Sequence, residues 1–378
     1  MSIRECARSA LDRIMAHFEV PSSSGMTLPQ LDGLRGIAVM MVLSAHAWGA
    51  AGLPSVSIPM PLTPWHIGVT SILASGAWGV ALFFVLSGFL LSQGWFRADY
   101  MGESRPDLRR YLRLRLFRIV PAYYCCLLFT ATLLTGFIIR SELVYSGKGL
   151  VIFGIHAAFL PSFLESNLVP YNGAWWTLTL EMMFYLILPW LVVLFLRNRW
   201  MVTLPALIVV SYCWVQLTSS PHMPGVQWFL HLYRGWFPAS TYGGDDISEA
   251  MIRGMLLRQL PFSLWQFGVG IAIANLYVRY QLGELSHRAI RLFTSRAAGN
   301  CYFMVGCVIL ALNVRNMAAH TFPTGDGWPL SRPLRIMVPQ MPMPVGFGMV
   351  LMGLLWGNVG IKRAFSLVQG QTRLCVRM

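Results

Sequence analysis

Charge is what this sequence has least of. Only 12% of its 378 residues are Asp, Glu, Lys or Arg, about half the share found in a soluble domain, whereas 56% are hydrophobic. The shortage is uneven. No charged residue occurs between Arg35 and Arg97, and further charge-free runs cover Ile119–Ile139, Met182–Leu196, Gln259–Val278, Ala297–Val314 and Ile336–Ile361. A helix needs about 20 mostly apolar residues to cross a bilayer. Several of these runs are long enough, which excludes a soluble globular class. Cysteine is sparse too. The seven (Cys6, Cys125, Cys126, Cys213, Cys301, Cys307 and Cys375) mostly lie inside apolar runs, are odd in number and show no metal-ligand spacing, so neither a disulfide framework nor a zinc site is expected. The first thirty residues lack an apolar core. No cleavable signal peptide is read there, and the first span is expected to direct insertion.

The charge that is present is basic, 29 Lys and Arg against 15 Asp and Glu, for a formal net charge of +14. In a soluble chain such an excess would suggest nucleic acid. Here the basic residues sit at the ends of apolar runs, where they set membrane orientation, and no nucleic-acid partner is expected.

The pattern predicts an all-α fold, a polytopic transmembrane helix bundle of eight spans near 34–52, 76–94, 119–139, 174–196, 201–218, 259–279, 297–315 and 336–358. Residues 1–30 read as a basic cytoplasmic leader ending in the flexible "PSSSGMTLPQ", 31–360 as the transmembrane domain and 361–378 as a short basic cytoplasmic tail. The apolar stretch Gly149–Phe163 is short for a span and reads as re-entrant or interfacial. With eight spans, 21 of the 29 basic residues fall on the inner side; making 149–163 a span lowers that number to 17. The first layout is preferred, with both termini in the cytoplasm. The outer loop 53–75 is proline-rich. The outer loop 219–258 holds His222, His231, Arg234, Asp245 and Asp246 among many aromatics. Those aromatics suit either stacking on a sugar ring or an interfacial belt.

Against this background four stretches stand out. In "LDGLRGIAVMMVLSAHAW", Asp32 and Arg35 sit at the cytoplasmic mouth of the first span, and His46 lies eleven residues beyond Arg35. At 3.6 residues per turn the two share a helix face, with His46 about 16 Å deeper. An ionisable group at that depth is costly and marks function unless it bonds a neighbouring helix; general base, nucleophile or proton relay are its tasks. Glu181 in "NGAWWTLTLEMMFYLILPW" is the acid well inside a span. Its depth, about 10 Å below the outer surface, roughly matches that of His46, so it is expected either to contact and orient the imidazole or to bond another helix. In "RRYLRLRLFRIVPAYY", Arg109, Arg110, Arg113, Arg115 and Arg118 crowd the start of the third span. They serve topology or anionic lipid, or grip a phosphate-rich ligand with the planar guanidinium fork; coenzyme A esters fit. In "GVALFFVLSGFLLS", Ser87 and Gly88 read as helix-packing positions.

Together these stretches resemble the integral-membrane acyltransferase-3 family, which includes O-acetylases of lipopolysaccharide, peptidoglycan and exopolysaccharide and tailoring acylases of Nod factors and macrolides. Leu31–His46 is similar to its "LDGLRG…H" opening, Gly79–Leu91 to its "FFVLSGFL" helix and Arg115–Tyr124 to its "RxxRIxPxY" motif. Trp176–Pro189 is similar to its "WSLxxExxFYxxxP" motif, with Thr177 replacing serine, and "LPFSLWQFGVGIAIA" to its later "FxxGxxxA" helix. The resemblance implies a catalytic His46, supported by Glu181 and the motif's Arg35, with Arg115 and Arg118 meeting the acyl donor. It implies no bound cofactor and no metal, acyl-CoA (acetyl-CoA) as co-substrate, a glycan or glycolipid acceptor, and a multi-pass protein of the cytoplasmic (inner) membrane. Family members run to about ten spans. Eight are read here, so a shortened C-terminus and an inactive family member are alternatives, as is a proton-coupled transporter using His46 and Glu181.

Overall fold

The structure, a computed structural model, describes residues 28–52, 57–59, 66–133, 147–163, 173–219, 224–236, 249–318, 340–358, 360 and 362–365. It is helical, as the sequence predicts, apart from one short antiparallel pair, β1 (Ser57–Pro59) with β2 (His66–Gly68). The main helices in chain order are α1 (Pro29–Ala50), α2 (Gly79–Met101), α3 (Leu108–Phe129), α4 (Gly147–Ala157), α5 (Trp176–Leu194), α6 (Trp200–Ser219), α7 (Pro224–Trp236), α8 (Glu249–Leu257), α9 (Leu260–Gln281), α10 (Arg296–Ala318) and α11 (Pro342–Trp356). Most of the leader, the tail and much of the two outer loops, with His222, Asp245 and Asp246, lie outside the described residues.

Among the described residues, six helical segments are long and apolar enough to cross a membrane: Thr70–Met101, Leu108–Leu133, Trp176–Leu194, Trp200–Thr218, Ile252–Gln281 and His287–Val314. The other two expected spans form helices of a different kind. α1 has the length, 22 residues, but Asp32, Arg35 and His46 lower its apolarity. α11 is apolar but only 15 residues long. The helix that carries the third expected span begins well before residue 119, because Asp107 caps it by accepting from the backbone N–H of Arg109 and Arg110, both at 3.2 Å, and arginine propagates a helix well. α4, with 11 residues, is about 16 Å long. It is too short to span, as read from the sequence.

The chain divides into two compact units. One comprises Leu28–Tyr100, Trp190–Met223 and Leu257–Met378; the other includes Met101–Pro189 and Pro224–Leu256.

In the first, α9 is the core. Every residue from Trp265 to Val278 is buried, as an element apolar on all sides must be. It crosses α2 at very close range, since a Cβ on Gly270 would overlap the Val85 carbonyl oxygen and one on Gly88 the Phe267 carbonyl oxygen. Gly88, rather than Ser87, is thus the packing position in that motif. Phe84 stacks on Phe267 at 4.4 Å beside the crossing. One buried polar side chain ties three elements together. The Asn275 amide donates to the carbonyls of Phe195 and Arg197 and its oxygen accepts from the Tyr100 hydroxyl at 3.0 Å, while that hydroxyl accepts from the Arg197 N–H at 2.7 Å. The network satisfies carbonyls just past the end of α5, which lack helical partners, and fixes a turn in which Arg197 has a positive φ of 55°.

In the second unit, α3 is tied to the end of α4. The Tyr123 hydroxyl donates to the His156 carbonyl at 2.8 Å and the Tyr124 hydroxyl to the Ala157 carbonyl at 2.7 Å. Tyr123 also stacks on Phe159 and meets Trp175. The Ser162 N–H donates to Thr179 Oγ1 at 3.3 Å, which attaches the following loop to α5.

Candidate active site

α1 starts at Pro29, which suits a first helical turn, and Asp32 there complements the positive end of the helix dipole. Asp32 forms an ion pair with Arg35 at 3.0 Å. Both side chains are partly exposed, so the pair contributes little stability, and its effect is to orient Arg35 toward the helix start. His46 is exposed near the other end, and its Nδ1 lies 2.8 Å from the carbonyl oxygen of Val42, one turn back. A carbonyl can only accept, so in the neutral imidazole Nδ1 carries the proton and the lone pair sits on Nε2. The tautomer is therefore set by the backbone of the same helix. About 16 Å of helix separates Arg35 from His46. They share a face but are not brought together.

Glu181 belongs to the second unit, on α5. The Tyr185 hydroxyl, four residues on, donates to its Oε1 at 2.5 Å. Two further groups of the same unit lie on α3. The Arg115 guanidinium carbon lies 5.8 Å from the centre of the Tyr111 ring, within cation–π range. Arg115 is half-buried, while Arg118, one turn later, is exposed. Each of these charges thus meets a tyrosine of its own helix, Glu181 with Tyr185 and Arg115 with Tyr111, and sequence reading left both tyrosines aside. Tyr185 had a usable signal, the i,i+4 spacing from Glu181.

A third polar group missed in the sequence is His156, fully buried in an apolar helix. Its Nδ1 lies 2.8 Å from the Ile152 carbonyl oxygen, and its ring meets Trp175 edge-on. Burial pushes its imidazole below the ordinary histidine range, so it serves as a neutral bonding group in the wall formed by Tyr123, Phe159 and Trp175.

Residues 28–365 match the acyltransferase-3 family, described as an acyltransferase domain. The chain belongs to the acyltransferase-3 family. The match takes in Arg35, His46, Arg115, Arg118 and Glu181. Membership, with the six apolar helices, makes this a multi-pass membrane protein. The chain is 27% identical over 248 residues to O-acetyltransferase OatA of Staphylococcus aureus strain NCTC 8325 / PS 47, a match covering 63% of this chain and 36% of that protein. OatA of strain COL matches to the same extent. An O-acetyl transferase of Shigella phage Sf6 is 27% identical over 162 residues, covering 41% of this chain and 43% of the phage protein. The chain spans about a third of the length of the staphylococcal relatives. No solved structure matches it.

Proposed function

We propose that this protein is a membrane O-acyltransferase that moves an acetyl group from a cytoplasmic acyl-CoA to a hydroxyl of a glycan or glycolipid. Family membership and relatives named as O-acetyltransferases support the reaction type. The observation that carries the mechanism is His46, whose Nδ1 is committed to the Val42 carbonyl, leaving Nε2 as a base near the end of α1. Nε2 takes the proton of the acceptor hydroxyl as its oxygen attacks the thioester carbonyl carbon. The carbon–sulfur bond breaks and the proton passes to the departing CoA thiolate. A two-step path through an acyl-imidazole starts from the same lone pair. Arg35 and Glu181 are assigned supporting roles, and the α3 arginines the donor's phosphates, which Arg binds bidentately.

Purified protein in detergent, given acetyl-CoA and a hydroxyl acceptor, is expected to release CoA and yield an acetyl ester seen by mass spectrometry. Proton-coupled uptake into vesicles with no acetyl transfer would overturn this reading in favour of a transporter. Comparing glycan acetylation in a deletion strain and its parent identifies the acceptor.

We also propose the cytoplasmic membrane as the site, with both termini in the cytoplasm, on the strength of the basic residues inside and of an α4 too short to span. A reporter enzyme active only outside the cytoplasm, fused after Arg197, is expected to be silent. High activity there would invert the layout.

A further inference from the structure

Three elements of the α9-centred unit meet at one end, and each brings arginine. Arg97 lies near the end of α2, Arg279 in the last turn of α9, and Arg197 and Arg199 in the turn between α5 and α6. Hydrogen bonds join the three. The Arg97 guanidinium donates to Gln281 Oε1 at 2.9 Å and the Arg279 guanidinium to Asn198 Oδ1 at 2.9 Å, beside the Tyr100–Asn275–Arg197 network. Both acceptors are neutral amides, so each guanidinium is oriented without a counter-ion. No carboxylate among the described residues forms an ion pair with any of the four arginines. Arg279 Nε is sealed from solvent, which holds that side chain in place. Arg197 takes a positive φ of 55°, a conformation that suits glycine and strains an arginine, and Tyr100 and Asn275 hold its N–H and C=O. A charge that only sets topology needs neither a fixed direction nor a strained backbone.

We propose that this end of the unit binds a phosphate group. A planar guanidinium presents several donors to phosphate oxygens at once, and such hydrogen bonds are strengthened by the charges on both sides. Arg97 ends the charge-free run that follows Arg35, and Arg279 directly follows the run Gln259–Val278, so the cluster lies at the boundary between apolar and polar surroundings. The headgroup phosphates of anionic lipids occupy that level. The phosphates of a soluble ligand such as acyl-CoA have the same chemistry and are the other source. The cluster uses none of the α3 arginines, and its test reads binding alone, so it stands or falls apart from the acyltransferase reading.

The test titrates the full chain in detergent with phosphatidylglycerol, phosphatidylcholine or acetyl-CoA and reads affinity from the rise in unfolding midpoint. Phosphatidylglycerol is expected to raise the midpoint of the wild-type protein, and phosphatidylcholine, whose headgroup is neutral overall, to raise it less. Asn198→Asp puts a carboxylate against Arg279 and is expected to weaken phosphatidylglycerol binding by about tenfold or more, because the new anion competes for the guanidinium. Arg197→Gly removes a guanidinium yet suits the positive φ. It is expected to weaken binding while the midpoint without lipid stays the same or rises. Arg288→Gln, which removes an exposed arginine outside the cluster, is expected to change affinity by less than about twofold, an exposed and distant charge being screened by salt. A rise with acetyl-CoA that Asn198→Asp and Arg197→Gly both remove would assign the site to the donor's phosphates; that response to phosphatidylglycerol alone assigns it to lipid. No rise with either probe would overturn the proposal. So would a rise that survives both cluster variants, an equal rise with phosphatidylcholine, or an equal loss from Arg288→Gln. Should Asn198→Asp not fold, Arg197→Gly decides the matter.

Discussion

His46→Gln is expected to lower the rate of acetyl transfer by about 10²- to 10⁴-fold, the usual contribution of a general base, with expression and acetyl-CoA affinity near wild type. His46 Nδ1 donates to the Val42 carbonyl. A glutamine amide can offer that carbonyl an N–H in the same way, so the local hydrogen bond survives the substitution. What glutamine cannot supply is the basic lone pair on Nε2. His46→Ala removes both features and is expected to be equally inactive. It should fold, because the side chain is exposed and surface substitutions rarely cost more than about 0.5 kcal/mol. If the histidine were only a helix-bonding group, the order would differ: glutamine would work and alanine would lose stability. Acetyl transfer by the glutamine variant within about tenfold of wild type would remove His46 from the chemistry, because a general base contributes at least about 10²-fold.

Gly270→Ala is expected to cost the α9-centred unit much of its stability. The added Cβ would run into the Val85 carbonyl oxygen, with the Phe89 backbone nitrogen 2.7 Å away. These are backbone atoms of α2, so no side chain can swing clear and the two helices must separate. Overpacking of a core costs about 1–3 kcal/mol and occasionally more; a backbone obstacle places this case at the upper end. Gly88→Ala on the facing helix should behave alike, its Cβ meeting the Phe267 carbonyl. Gly94, also on α2, has nothing within 4 Å of its Cβ position. Gly94→Ala is expected to leave stability unchanged or raise it by up to about 1 kcal/mol through helix propensity. Thermal unfolding of the purified variants in detergent compares them directly. A midpoint for Gly270→Ala no lower than that for Gly94→Ala would mean that the crossing is looser than described.

Most of the helices were legible in the sequence because the bilayer imposes one solution on the backbone. In lipid every N–H and C=O must be satisfied within the segment, so a charge-free run of the right length becomes a helix. Residues 259–279 were read as a span and 260–281 is the helix; 201–218 became 200–219. The same reasoning does not find where α3 starts, at Leu108. Apolarity reports where lipid can lie, not where a helix begins, and an aspartate cap followed by arginines extends a helix well outside the apolar run. His46 and Glu181 were visible for a simple reason: a polar group is conspicuous where nearly every neighbour is apolar.

Both of those groups bond within their own helices, and which rotamer makes each bond was settled only in the folded structure. Sequence spacing placed His46 and Glu181 at similar depths, but the partner that sets the His46 tautomer is a carbonyl of its own helix, which depends on the side-chain rotamer. Arg115 and Arg118 look equivalent in the motif, yet one is packed over Tyr111 and the other is open to solvent. His156 reads as one more residue of a short apolar run until α3 and Trp175 close over it. Periodicity and hydropathy act along the chain over a few turns. The Asn275 network joins residues more than seventy positions apart, and such contacts exist only once helices have packed, with each carbonyl and ring finding its place among side chains that the local sequence does not specify.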